Sequence, residues 1–268
     1  MTRMTPMTCP IQLISTDFDG TLHADFETPP VPLDLQQLLA ELQAKGTKWV
    51  INTGRDLSSV MEGMARARLI VKPDFLVVVE RDIYALEGSR YEPCSAWNNT
   101  CHQAHTSLFE RVRGDVPRLI NWVSQRFRAK LYEDDFSPFC LIADSVPDAD
   151  VIQQFLEEYC SGIPDLTVVR NDIYARFSHA AYNKGTALAE IARQLGVAPG
   201  DVFAAGDHYN DLPMLSGQYA RQVAAPHNAM PSVKELVLRQ GGYVSHQPWG
   251  HGVARALEHF LSVAGGPI

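Results

Sequence analysis

The sequence predicts an α/β protein with a parallel sheet in its core and a second, two-layer α/β domain inserted into that core. Short apolar runs alternate with stretches of helical spacing in the first third of the chain, and the same alternation returns after residue 180. From about residue 82 to 180 the pattern differs, with two strand-rich and two helical stretches. We therefore expect a core formed by residues 1–82 and 181–268, and an inserted domain formed by residues 83–180.

The first third of the chain supplies the first elements of the predicted core. The apolar run 11–14 predicts a buried strand, and leucines at helical spacing from Leu35 to Leu42 predict a helix that Gly46 closes. The remaining predicted elements are a strand at 48–52, a helix at 58–68 and a strand at 75–79. Because strands and helices alternate, we expect β-α-β units and a parallel sheet.

The middle of the chain predicts two helices, at 105–128 with a break near 114–117 and at 151–159. The predicted strands of this segment are 131–132, 139–143, 166–170 and 173–177. After residue 180 the first pattern resumes. Its predicted elements are a helix at 184–195 closed by Gly196, a strand at 202–205, and further elements at 222–225, 232–238 and 253–263.

Two carboxylates follow the first predicted strand, in the sequence Asp17-Phe18-Asp19-Gly20-Thr21-Leu22. In an open α/β sheet, ligands bind beyond the carboxyl ends of the strands. Carboxylates two residues apart on extended backbone point the same way, and like charges that close need a cation or a proton between them. Gly20 permits the sharp turn that such a site requires.

Three further polar motifs follow, namely Asn52-Thr53-Gly54-Arg55, Asn183-Lys184-Gly185 and Gly206-Asp207-His208-Tyr209-Asn210-Asp211. The series resembles the four signature motifs of the haloacid dehalogenase (HAD) superfamily of phosphotransferases. Within that superfamily the chain resembles a Cof-type phosphatase with a class IIB cap. The resemblance spans positions 17 to 211, and it implies a Rossmann-like HAD core with an inserted α/β cap.

The resemblance implies a role for each motif residue. Asp17 is the nucleophile that forms an aspartyl phosphate, and Asp19 protonates the leaving alcohol and then deprotonates the attacking water. Lys184 holds the phosphoryl group and offsets the charge of Asp17. The cofactor is Mg²⁺, which favours hard oxygen ligands, and the acidic residues around it are Asp17, Asp19, Asp207 and Asp211.

The same resemblance assigns substrate contacts to Thr53, Gly54, Arg55 and Asn210. The Thr53 hydroxyl and the backbone N–H of Gly54 can both donate to a phosphoryl oxygen. For Arg55, a phosphate clamp and a pairing with surface acids are both open. Asp211 acts through metal-bound water or orients Lys184, and His208 is a wall of the site rather than a Mg²⁺ ligand.

One stretch departs from the pattern of the family that the chain resembles. Cof-type sequences usually follow the third strand with an Asn-Gly-Ala-like turn, whereas this chain has Glu80-Arg81-Asp82. The departure affects the hinge into the cap and the substrate pocket, and it leaves the four catalytic motifs intact.

The leading hypothesis is a Mg²⁺-dependent phosphatase that acts on a small phosphorylated metabolite, such as a sugar or glycerate phosphate. A phosphomutase of the phosphomannomutase type is an alternative that needs a second phosphate site. The cap arginines that could supply it are Arg111, Arg113, Arg118, Arg126 and Arg128. A non-catalytic binding protein on the same fold is a further alternative, although no motif carboxylate and no motif lysine is lost.

Composition excludes several other classes of function. The net charge, 23 − 31 = −8, argues against nucleic-acid and anionic-membrane partners. No apolar run reaches the ~20 residues that span a bilayer, and residues 1–10 lack the apolar core of a signal peptide. An odd count of five cysteines fits reduced thiols, so we expect a cytoplasmic protein of undefined oligomeric state. The group Cys94, Cys101, His102 and His105 matches no structural zinc spacing.

Overall fold

The computed structural model describes residues 9–265, and its strands form one sheet of eight strands and one of four. The strands are β1 Leu13–Thr16, β2 Lys48–Asn52, β3 Phe75–Val78, β4 Asp82–Glu87, β5 Arg90–Pro93, β6 Ala129–Asp134, β7 Ser137–Ala143, β8 Leu166–Asn171, β9 Tyr174–His179, β10 Val202–Ala205, β11 Gln222–Ala225 and β12 Tyr243–Val244. The helices are α1 Leu33–Ala44, α2 Leu57–Arg66, α3 Ser95–Val112, α4 Val116–Ser124, α5 Val146–Ser161, α6 Lys184–Leu195, α7 Pro231–Arg239 and α8 Trp249–Gly265.

The large sheet has the order β12-β11-β10-β1-β2-β3-β4-β5. Pairing is parallel from β12 to β3, and β4 and β5 continue the sheet as an antiparallel hairpin. The predicted α/β class with a parallel core sheet is therefore confirmed. Strand β1 is buried along its whole length between β10 and β2, and the chain leaves these three strands at the same edge of the sheet.

Apolar side chains cover both faces of the large sheet. Side chains alternate between faces along a strand, so Ile14 packs with α1 and α8 while its neighbour Leu13 packs with α6 and α7. Trp49 and Phe203 belong to the first of these cores. A sheet that is buried on both faces leaves only its strand ends accessible, which confines a ligand site to an edge of the sheet.

The small sheet has the order β6-β7-β9-β8 and is antiparallel throughout. Helices α3, α4 and α5 supply Leu108, Leu119 and Leu156 to a third apolar cluster with Phe139 and Phe177. The segment from α3 to β9 thus has one layer of strands and one layer of helices. Its other sheet face turns toward the carboxyl ends of the large sheet.

The structure adds elements that the sequence pattern did not predict, namely the β4–β5 hairpin and β12. Helix α3 begins at Ser95 rather than at residue 105, while the predicted break near 114–117 is confirmed between Val112 and Val116. The predicted domain boundary lies at residue 82, which is the first residue of β4. The β4–β5 hairpin beyond this boundary belongs to the large sheet rather than to the small one. The division of the chain into two domains stays a prediction.

Within residues 9–265, no helix combines the length and the apolarity that crossing a bilayer requires.

A buried histidine ties α3 to the end of the small sheet. Nδ1 of His105 lies 2.8 Å from the Cys101 carbonyl oxygen, and Nε2 accepts the backbone N–H of His179 at 3.1 Å. Because Nε2 is an acceptor, the ring must be neutral in this arrangement. Burial lowers the pKa of His105 to about 3, and the positive charge of Arg81 acts in the same direction.

This histidine predicts acid sensitivity of the fold. Between about pH 6.5 and pH 3 the unfolded chain binds a proton at His105 that the folded chain does not, so stability falls by about 1.4 kcal/mol for each pH unit. We expect His105→Gln, whose carbonyl oxygen can accept the same N–H, to have a shallower slope of unfolding free energy against pH. Urea unfolding at pH 7.5, 6.0 and 5.0 measures the slope, with the exposed His251→Gln as control. Equal slopes in all three proteins would contradict the assignment.

Candidate active site

The four polar motifs converge at one edge of the large sheet. Asp17 follows β1, Thr53 follows β2, and Asp207 follows β10. The direction of the strand order changes at β1, since the chain continues through α1 to β2 and β3 on one side, whereas β10 and then β11 lie on the other. That topology opens a crevice at the carboxyl end of β1, which is where ligands bind in open α/β sheets.

A buried lysine joins the first, third and fourth motifs. Nζ of Lys184 donates to Oδ1 of Asp17 and to Oδ1 of Asp211, both at 2.6 Å. The lysine and Asp211 are completely buried, and the Asp17 side chain is 6% exposed. Lys184 is the first residue of α6, where Asn183 caps the helix and Asn52 donates to the Lys184 carbonyl oxygen.

The negative charge of this cluster exceeds what Lys184 can offset. Burial raises the pKa of Asp17 well above its ordinary value; Lys184 opposes the rise, and the charges of Asp211 and Asp207 add to it. Burial also raises the pKa of Asp207 to about 7, and the charge of Asp211 contributes. For Lys184, burial lowers the pKa, but the two carboxylates outweigh it and the net shift is upward.

Three carboxylates could share a metal ion at this edge. Oxygens of Asp17, Asp207 and Asp211 lie within 4.8 Å of one another, and such hard donors suit Mg²⁺. Both oxygens of Asp211 already have partners, because Oδ1 accepts from Lys184 and Oδ2 accepts the backbone N–H groups of Asp207 and His208. Asp17 and Asp207 are therefore the better candidates for direct ligation, while Asp211 orients the lysine.

Asp19 lies apart from this group. Its carboxylate accepts two hydrogen bonds from Arg55, from Nε at 2.7 Å and from Nη2 at 2.6 Å. Such a bidentate pair is geometrically specific and stronger than a neutral hydrogen bond. The structure thus brings Asp19 to the cleft but not to the three-carboxylate cluster, and it pairs Arg55 with an acid of the first motif.

A strained segment follows β3 and faces the second motif. Val79 and Glu80 have φ of 45° and 69°, a region that is rare for non-glycine residues and especially so for a β-branched one. Two backbone hydrogen bonds hold the segment, from Val79 N–H to the Arg55 carbonyl and from Glu80 N–H to the Thr53 carbonyl, both at 2.9 Å. The strain directs the Glu80 side chain inward, where Oε1 accepts from Nδ2 of Asn210 at 3.0 Å.

The sequence did not identify Glu80 as a site residue, although it belongs to the stretch that departs from the Cof-type pattern. That departure was the signal that could have found it. No pattern in the sequence shows that the residue adopts a positive φ and turns into the cleft.

A cavity of about 470 Å³ lies between the two sheets. The large sheet contributes Asp17, Asp19, Thr53, Gly54 and Arg55, all of which are predicted site residues. The small sheet contributes a wall that includes Tyr132, Tyr174 and Arg176. Lys184 and Asn210 border a second cavity of about 280 Å³, and Glu80 lines both. All the predicted site residues therefore lie at the same edge of the large sheet.

The arginines that a mutase would need point elsewhere. Arg113 pairs with Glu133, Arg111 donates to the Pro164 carbonyl, and Arg126 stacks on Trp122. Among the residues that the structure describes, none of the five predicted arginines lines the cavity between the sheets. The His208 ring accepts the backbone N–H of Asp172, in the turn between β8 and β9, at 3.1 Å. Its role as a wall of the site stays a prediction.

Comparison with known proteins places the chain among phosphatases. The family described as Sucrose-6F-phosphate phosphohydrolase matches residues 10–261. The 5-amino-6-(5-phospho-D-ribitylamino)uracil phosphatase YcsE of Bacillus subtilis (strain 168) is 24% identical over 256 residues, which cover 94% of this chain and 96% of the relative.

Solved structures share the fold. The sucrose-phosphatase from Synechocystis sp. PCC6803, in complex with sucrose and phosphate, has a TM-score of 0.67 at 20% identity and covers 93% of this chain and 98% of its own. A haloacid dehalogenase-like hydrolase from B. subtilis has a TM-score of 0.64 at 19% identity and covers 93% and 99%. At these identities the likeness shows the fold alone.

The buried lysine should be essential for stability. We expect Lys184→Met to lower the free energy of unfolding by about 3–5 kcal/mol, because Asp17 and Asp211 then stay buried without a countercharge. The control is Lys48→Met, which removes an exposed ion pair with Asp74 and should cost less than about 1 kcal/mol. Urea unfolding in metal-free buffer measures both variants. Similar losses in the two variants would contradict this account of the ion pair.

Gly20 should be required for the position of Asp207. Its φ is +75°, and a Cβ there would lie 2.5 Å from Oδ2 of Asp207. We expect Gly20→Ala to weaken Mg²⁺ binding by at least about tenfold, the usual effect of a disturbed ligand. Gly241→Ala is the matched control, since Gly241 has a φ of +71° and nothing within 4 Å of the added Cβ. Calorimetric titration that found equal Mg²⁺ affinities in the two variants would exclude the collision.

Proposed function

The chain belongs to the sucrose-6F-phosphate phosphohydrolase family within the HAD superfamily and is a phosphoric monoester hydrolase; from this premise we propose a Mg²⁺-dependent reaction through an aspartyl phosphate. The proposed substrate is a small sugar phosphate, and the part of residues 83–180 that forms the small sheet and its helices acts as the cap that recognises it. The observation that carries the proposal is the buried ion pair of Lys184 with Asp17 and Asp211, at the end of β1.

Asp17 is the proposed nucleophile. Nζ of Lys184 donates to Oδ1 of Asp17 at 2.6 Å and so fixes the carboxylate. The other oxygen, Oδ2, is then available to attack the phosphorus atom. As the Asp17–phosphorus bond forms, the ester oxygen–phosphorus bond breaks, and the leaving alkoxide takes a proton from the Asp19 carboxyl. The second step reverses the proton's path: Asp19 accepts a proton from water, whose oxygen bonds to phosphorus and releases the Asp17 carboxylate.

Arg55 controls the availability of Asp19 in this scheme. Its guanidinium donates to both carboxylate oxygens of Asp19, whereas the first step needs one of these oxygens to carry the proton for the leaving group. We propose that the phosphoryl group of the substrate takes over donors of Arg55 and so releases Asp19. The Thr53 hydroxyl and the Gly54 N–H, which border the same cavity, are placed to donate to phosphoryl oxygens.

Asp17 and Asp207 would hold the Mg²⁺. When bound, the ion neutralises charge on the phosphoryl oxygens and orients the group for in-line attack. The chain itself fixes the ligands: Thr21 donates to Asp207 at 2.6 Å, and Asp211 accepts the Asp207 N–H at 2.8 Å. Burial raises the pKa of Asp207 to about 7 and the charge of Asp211 adds to the rise, so a bound cation would stabilise that carboxylate.

A sugar phosphate is favoured over the alternatives by the wall of the cavity and by the family. The cavity offers the hydroxyls of Tyr132 and Tyr174 and the amide of Asn171, which suit the hydroxyl groups of a sugar. The similar Synechocystis sucrose-phosphatase was solved with sucrose and phosphate. A mutase lacks support because the cap arginines lie away from the cavity, and a non-catalytic protein would not need the buried lysine.

Chelation and a single isosteric change test the proposed reaction together. We expect EDTA to abolish hydrolysis of glucose 6-phosphate and added Mg²⁺ to restore it, because the acidic cluster then regains its countercharge. Asp17→Asn should lower kcat more than tenfold at saturating Mg²⁺, a loss of over ~1.4 kcal/mol of transition-state stabilisation. The exposed Asp25→Asn is the control, and its kcat should stay close to that of the parent protein.

Two results would contradict the proposed reaction. One is full turnover in thoroughly chelated protein. The other is an Asp17→Asn variant that is folded by circular dichroism and keeps more than about a tenth of the parent kcat.

A further inference from the structure

Glu80 is a buried acid that the proposed reaction does not use. Its side chain is 8% exposed and follows β3 in the strained segment with positive φ. A buried carboxylate without a partner would be strongly unfavourable, so its surroundings must compensate for its charge. Two side chains do so, namely Asn210 in the loop after β10 of the large sheet and Arg176 in β9 of the small sheet.

The two carboxylate oxygens of Glu80 have different partners. Oε1 accepts from Nδ2 of Asn210 at 3.0 Å, in the fourth motif. Oε2 lies 3.5 Å from Nη2 of Arg176, which belongs to β9 and lines the cavity between the sheets. Glu80 therefore joins the catalytic edge to the wall that would face the leaving group.

This pairing leaves the cavity without a free cation among the described residues. Its two arginines are Arg55, which is held by Asp19, and Arg176, which is paired with Glu80. Two further acids of the cavity, Asp56 and Asp134, accept backbone N–H groups of their own turns. A substrate whose leaving group carried a second phosphate or a carboxylate would meet negative charge there with no available partner.

We propose that Glu80 determines charge specificity: by neutralising Arg176, it makes the cavity select phosphomonoesters with an uncharged, polyhydroxyl leaving group and reject those with a second anionic group. The inference rests on the proposed phosphatase function and extends it to the leaving group. Arg176 could bind a second anion if its charge were unpaired, and the ion pair with Glu80 prevents this.

The isosteric variant Glu80→Gln separates charge from shape. Its carbonyl oxygen can still accept from Asn210, whereas its amide group cannot pair with Arg176. Arg176 is 16% exposed at the cavity and would then be available to a second anion. We expect the ratio of kcat/KM for fructose 1,6-bisphosphate or 2-phosphoglycolate to that for glucose 6-phosphate to rise by about tenfold, as for one gained ion pair.

Three controls make the result specific. Glu80→Gln combined with Arg176→Gln should return the ratio to the parent value, because the gained cation is gone. Glu62→Gln, an exposed acid on α2, should leave the ratio unchanged. The parent protein itself should prefer glucose 6-phosphate, and a preference for the doubly anionic substrates would overturn the proposal even if Glu80→Gln failed to fold.

A binding measurement keeps this test separate from that of the reaction. In the Asp17→Asn background with Mg²⁺, calorimetry gives the Kd of glucose 6-phosphate and of fructose 1,6-bisphosphate with and without Glu80→Gln. A shift of the Kd ratio by about tenfold toward the bisphosphate supports the role of Glu80, and an unchanged ratio overturns it. Failure of the proposed function is distinct, since it would appear as absent turnover in the parent protein.

Discussion

The site depends on the burial of one ammonium group between two carboxylates. Asp17, Lys184 and Asp211 come from three distant segments, and each of the two contacts measures 2.6 Å. A buried charge is tolerated only when it is paired, so the ends of β1 and β10 and the start of α6 are held together. That requirement also explains Gly206, where a Cβ would collide with the Asp211 side chain.

Strain at the end of β3 is the second constraint, and it links chemistry to recognition. Val79 and Glu80 adopt positive φ because their N–H groups bond to the carbonyls of Arg55 and Thr53. Each such residue costs of the order of 1–3 kcal/mol, which the surrounding hydrogen bonds offset. In return the Glu80 carboxylate lies between Asn210 and Arg176, at the junction of the two sheets.

The sequence predicted those features that follow from local pattern. Apolar runs located most strands within a residue or two. The motif residues Asp17 and Asp207 lie at one edge because each follows a strand of the parallel sheet, and Lys184, the first residue of α6, donates to Asp17 there. The β4–β5 hairpin was missed although β4 contains Ile83, Tyr84 and Leu86, because its partner β5 is largely exposed and carries little apolar signal. The Asp19–Arg55 pair and the orientation of Glu80 were not predictable, because both depend on side-chain and backbone torsions fixed by tertiary contacts.

The two sheets contact each other through groups other than the buried ion pair. Arg81 donates to the Phe136 carbonyl at 2.9 Å, the Asp172 N–H donates to His208 at 3.1 Å, and the Arg170 guanidinium lies 5.9 Å from the ring centre of Tyr209. Lys184, Asp17 and Asp211 take no part in these contacts. The wall supplied by the small sheet can therefore change its side chains without unpairing the buried charges. Glu80 differs from these groups because it lies at the catalytic edge and contacts both Asn210 and Arg176. A substitution of Glu80 would therefore change substrate recognition although Glu80 belongs to the large sheet's side of the cavity.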